Sequence, residues 1–96
     1  MDTEEAKRLT IEGIAEWLAE EFQGATVTKP THLAPRALFN VIRLGQEFRL
    51  SITPTALAVI TVNGAYLDKE HARMYIAQQD RIVERMLAGE DVVIYA

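Results

Sequence analysis

The stretch "LFNVIRLGQEFRLSI", Leu38 to Ile52, constrains the fold more than any other part of the chain. Its apolar residues alternate on both sides of a glycine, which is the period of a β-hairpin. Glycine at the first central position suits a tight two-residue turn at Gly45-Gln46. That turn pairs Leu44 with Glu47, Ile42 with Arg49, Val41 with Leu50 and Phe39 with Ile52. A hairpin in water hides one face and wets the other. Here both faces carry apolar residues, so something has to cover the second.

A third strand is expected over Ala56–Val62, joined by a turn at Pro54-Thr55. Pairing across that turn puts Phe39, Val41, Phe48, Leu50, Ile52, Leu57 and Val59 on the core face. The opposite face then holds Leu38, Asn40, Ile42, Leu44, Glu47, Arg49, Ser51, Ala56, Ala58, Ile60 and Val62. Its apolar members form a patch larger than water tolerates comfortably. An apolar centre interrupted by an arginine and a carboxylate is how many interfaces look. The expected interface is Leu38, Ile42, Leu44, Glu47, Arg49, Ile60 and Val62. Its simplest occupant is a two-fold copy, with Arg49 reaching a partner's glutamate across the axis. Helix coverage and an ordinary wet face are the two alternatives.

Helices flank the strands. The first is expected from Thr3 to Gln23, with Asp2 and Glu5 at capping-box spacing and Gly24 beyond its end. Ile11, Ile14, Ala15, Leu18 and Phe22 form its apolar stripe, widened by Leu9 and Trp17. The second runs from Lys69 to Ala88 between Asp68 as N-cap and Gly89, with Ala72, Tyr75, Ile76, Gln79, Val83 and Met86 inward. "DVVIYA" ends the chain as a short strand over Val92–Tyr95, parallel to a sheet strand after a helical crossover. Ala25–Pro35, with two prolines and three threonines, is a connector in which Ala25–Thr28 can form a short strand. The expected fold is a two-layer α+β domain spanning residues 1–96. It has an antiparallel three-stranded meander, two amphipathic helices in the order α-β-β-β-α, and the C-terminal strand. That element order resembles the double-stranded RNA-binding domain. In that family, however, a basic cluster opens the last helix, where this chain has "DKEHAR", and the first helix here is acidic.

Charge is uneven. Residues 1–23 carry seven acids against two bases, residues 24–67 four bases against one acid, and residues 68–96 six acids against four bases; the net charge is −4. Arg36, Arg43 and Arg49 are the least compensated bases, and they make weak nucleic-acid binding one alternative function. Lys69, Arg73, Arg81 and Arg85 form a row on the second helix, but Glu70, Asp80 and Glu84 neutralise it locally.

Little points to catalysis. There is no cysteine, which rules out a thiolate metal site or a cysteine nucleophile. His32 and His71 lack metal-ligand spacing, so no metal and no cofactor is expected. The lone serine, Ser51, lies mid-strand rather than on a sharp turn. A small enzyme using His32 or His71, with Asp68 orienting the latter, is the other alternative. The acidic start lacks the basic n-region and apolar h-region of a signal peptide, and the longest apolar run is "ALAVI", so a cytoplasmic protein is expected. The reading favoured by the sequence is a small non-catalytic interaction module, homodimeric, binding a protein through the second sheet face or the acidic first helix.

Overall fold

A computed structural model describes residues 2–79 and 81–95. The order of elements is α1 (Thr3–Glu21), β1 (Thr26–Thr28), β2 (Ala37–Arg43), β3 (Gln46–Ile52), α2 (Pro54–Ile60), a 3₁₀ turn (Val62–Gly64), α3 (Lys69–Ala77), α4 (Ile82–Leu87) and β4 (Asp91–Ile94). The class is α+β, with helices on a mixed four-stranded sheet ordered β1-β2-β3-β4. β1, β2 and β3 pair antiparallel, and β4 lies parallel beside β3. A three-stranded antiparallel meander is therefore present, but its members are β1, β2 and β3. The parallel edge strand sets the sheet apart from the simple α-β-β-β-α order.

The strand expected over Ala56–Val62 is instead a helix followed by a 3₁₀ turn. Thr53 caps it, its Oγ1 accepting from the Ala56 N–H at 3.1 Å. Pro54 sits in the first turn, where a missing N–H costs nothing. Burial follows the helical period: Ala56, Leu57 and Thr61 are inside, while Val59 is 59% exposed. The Thr61 hydroxyl donates to the Leu57 carbonyl at 2.8 Å. β-branched residues favour strands only weakly against such packing. The ladder edge of β3 that a third hairpin strand would have used is occupied by β4.

The hairpin turn is Leu44-Gly45, not Gly45-Gln46. Both residues have positive φ, 51° and 79°, the signature of a type I′ turn. The register becomes Arg43 with Gln46, Val41 with Phe48 and Phe39 with Leu50. It is displaced by two residues from the expected pairing. A shift of two preserves the faces, since side chains alternate with period two. Phe39, Val41, Phe48, Leu50 and Ile52 are accordingly all buried.

The second expected helix is broken. α3 ends at Ala77, Arg81 adopts φ 51°, and α4 restarts at Ile82. Asp80 lies outside the described residues. The break re-phases the chain, so that Ile82 is buried and Val83 only partly so. Ala72, Ile76 and Met86 are buried as their spacing required.

α1 supplies the other half of the helical layer, burying Ile11, Ile14, Ala15, Trp17, Leu18 and Phe22. Burying a large apolar side chain contributes about 1.5–3 kcal/mol, so this stripe is a main source of stability. The Asp2 carboxylate accepts from the Glu5 N–H at 2.7 Å and caps the helix. Phe22 stacks on Phe48 with ring centroids 5.6 Å apart, and the Arg43 guanidinium lies over Phe22. α1 meets the start of α3 through small residues. The Leu67 N–H donates to Thr10 Oγ1 at 3.1 Å, and a Cβ at Gly13 would overlap the backbone of Leu67 and Asp68. The buried side chains of the helices and of the inner sheet face form one cluster.

Candidate binding face

Strand alternation builds the other side of the sheet. Three rows of side chains cross it: Leu38–Ser51–Val93, then Thr28–Asn40–Arg49–Asp91, then Thr26–Ile42–Glu47. The first row is apolar around a nearly buried serine, the second is polar and charged, and the third is mixed. Leu38 is 39% exposed and Ile42 is 43% exposed. No described helix covers these rows, and the buried apolar residues of the four described helices join the core cluster on the opposite side. The second face of the hairpin is left bare by the chain's own helices.

Of the seven expected interface residues, Leu38, Ile42, Glu47 and Arg49 share this face. Leu44 stands 95% exposed at the hairpin tip beside them. Ile60 and Val62 do not join them, because the segment carrying them is helical; Ile60 packs against the core from α2 and Val62 lies in the 3₁₀ turn. Arg49 is held within its own chain. Its Nε donates to Glu47 at 3.1 Å and its Nη1 to Asp91 at 3.3 Å. Both carboxylates raise the guanidinium pKa, the Glu47 hydrogen bond most. In solvent such pairs contribute little to stability, so the bridge orients the arginine more than it stabilises the fold.

The segment from Lys29 to Arg36 borders this face. A hollow of about 330 Å³ lies between it and β2, lined by Lys29, Pro30, His32, Pro35, Arg36 and Asn40 among others. A second, of about 280 Å³, continues over Ser51, Arg49, Asp91 and Val93. The two share Pro35, Arg36 and Leu38, so they read as one groove. Sequence reasoning missed Lys29, Pro30, Pro35, Asp91 and Val93 as members of this surface. Strand parity in "DVVIYA" carried a usable signal, since Asp91 and Val93 must face together away from Val92 and Ile94.

The catalytic alternative gains no constellation. His71 sits exposed in the first turn of α3, its Nδ1 2.8 Å from Asp68 Oδ1. Asp68 also accepts the His71 backbone N–H at 2.9 Å. That backbone hydrogen bond, then the ring contact, holds its carboxyl below the usual aspartate range. His32 lines the groove instead, and Ser51 lies in a sheet row between Leu38 and Val93. Among the described residues no group of three or more histidines, cysteines, aspartates or glutamates could hold a metal ion. The three strand arginines do not form one basic surface either: Arg43 lies over Phe22, Arg49 is bridged, and Arg36 lines the groove. No described helix is long and apolar enough to cross a membrane. Comparison of the chain with protein-family models, with curated proteins and with solved structures found no match.

Proposed function

We propose that the protein is a non-catalytic interaction module that binds a protein partner through the bare face of its sheet. The observation that carries this reading is that every described helix lies on the opposite face while Leu38 and Ile42 remain exposed on this one. A sheet face with apolar rows around a charged row suits a partner contact, in which an apolar centre is combined with polar pairs. Because Arg49 is already satisfied by Glu47 and Asp91, the face offers less self-complementary charge than a two-fold copy would use. The reading therefore takes a different protein as the partner.

A photo-reactive amino acid in place of Ile42 tests it, with one in place of Val59 as control. Val59 is comparably exposed but belongs to the helical layer. In cells, discrete cross-linked products are expected from position 42 and not from position 59. Equal products from both positions would refute the reading. A product of twice the chain mass from position 42 would identify a second copy as the partner.

A further inference from the structure

We infer that the groove between the Lys29–Arg36 segment and the sheet face holds an extended acidic peptide segment of the partner, an inference that rests on the reading just proposed. The pairing of the chain's cations is the starting point. Lys7 pairs with Glu4, Arg8 with Glu5 and Glu12, Arg49 with Glu47 and Asp91, and Lys69 with Glu20. Arg73 pairs with Glu70, Arg81 with Glu84 and Arg85 with Glu90, while Arg43 lies over the Phe22 ring. Lys29 and Arg36 are left with no carboxylate among the described residues. Both line the groove. On a chain of net charge −4, these two cations thus share one hollow, and Lys29 also borders the α1 side, where Glu4, Glu12 and Glu16 line neighbouring hollows without pairing with it.

The lining narrows the chemistry further. Pro30, Pro35, Leu38 and Val93 give apolar contact, and Thr28, Asn40 and Ser51 bring polar groups suited to a peptide backbone. Alternating acidic and apolar side chains on an extended segment would meet cations and apolar floor in turn. No phenylalanine, tyrosine or tryptophan lines either hollow, and the His32 imidazole is the one ring there, so the groove lacks the aromatic platform on which successive nucleobases stack. The hollows fall near the lower end of ligand-site volumes, which suits a few residues of extended chain rather than a whole helix. Arginine can grip a carboxylate with two parallel hydrogen bonds, whereas lysine acts as a point charge. Arg36, which belongs to both hollows, is the expected anchor and Lys29 the rim contact.

The probe is a fluorescent peptide alternating aspartate and leucine, titrated at low salt into the intact protein. Saturable binding is expected. It should weaken by about tenfold when asparagine replaces the aspartates, and by a similar factor in the Lys29→Glu/Arg36→Glu variant. Arg73→Glu, an exposed charge reversal on α3, should change it by less than about twofold. Amide shifts on binding should centre on Leu38, Ser51 and Val93. The inference is overturned by absence of saturable binding up to about 1 mM, by equal loss in Arg73→Glu, or by tighter binding of single-stranded RNA through the same two residues. If the peptide fails while cross-linking from position 42 persists, the acidic segment is wrong and the sheet face stands. If both fail, the underlying reading falls too.

Discussion

Leu44 holds a conformation that suits it poorly. A non-glycine residue at positive φ costs about 1–2 kcal/mol through crowding of its Cβ, and asparagine tolerates the region better. Leu44 is almost wholly exposed, so no packing is lost when it is replaced. Leu44→Asn should raise stability by about 0.5–1 kcal/mol in a thermal melt. Gly13 is the opposite case. Any side chain there meets backbone atoms of Leu67 and Asp68, which cannot swing aside as a flexible side chain would. Gly13→Ala should cost about 2 kcal/mol or more in a urea titration, although alanine is the better helix former. Asp68 ties the start of α3 to pH. Its folded-state pKa is lowered, so its contribution is present above the ordinary aspartate pKa and fades as pH falls through the folded value. Asp68→Asn keeps a capping oxygen but cannot titrate. The stability difference between wild type and this variant should therefore shrink as pH drops below about 4, and a gap that stays constant would show the cap to be uncharged in effect.

At the scale of elements, what could be read from the sequence depended on whether one period dominated. α1, β2 and β3 each carry a clear stripe or alternation, and the structure keeps them within a residue or two of the expected bounds. α2 was lost because "TALAVITV" satisfies two periods at once. Its β-branched residues spoke for a strand, while Thr53-Pro54 is a helix-start pair that a turn reading absorbed. The break before α4 was hidden for a different reason. "QQD" contains neither glycine nor proline, and the left-handed residue is Arg81, which no propensity argument selects. The break makes a sharp prediction. In one continuous helix Val83 would lie on the stripe with Ala72 and Ile76, and Ile82 at its margin. With the chain re-phased, Ile82→Ala should cost about 2–4 kcal/mol and Val83→Ala about 1 kcal/mol. The reverse order in denaturant melts would restore the continuous helix.

For the whole molecule, the described helices all lie on one side of the sheet. α2 was expected to be sheet; as a helix it adds to the layer that already covered the core, and it takes Ile60 and Val62 away from the other face. The bare face was thus legible as a surplus of apolar residues, but its extent was not, because that depended on the one misread element. Its independence from folding can be tested with neighbouring residues on one strand. Val41 is wholly buried and Ile42 points the other way. Val41→Lys would place a charge in the core and should cost several kcal/mol, about 3 or more, or prevent folding. Ile42→Lys exchanges a half-exposed apolar contact for a solvated charge and should shift stability by no more than about 0.5 kcal/mol. Light scattering on the same pair separates binding from folding. If the wild type has twice the chain mass at high micromolar concentration, Ile42→Lys should return it to one chain with its ellipticity intact. If the wild type is already a single chain, the lysine should change neither mass nor melting, and in a protein carrying the photo-reactive residue at Leu38, which shares the face, it should remove only the cross-linked partner. A large loss of stability in Ile42→Lys would mean that the face is covered within the monomer, and the proposed binding surface would then not exist.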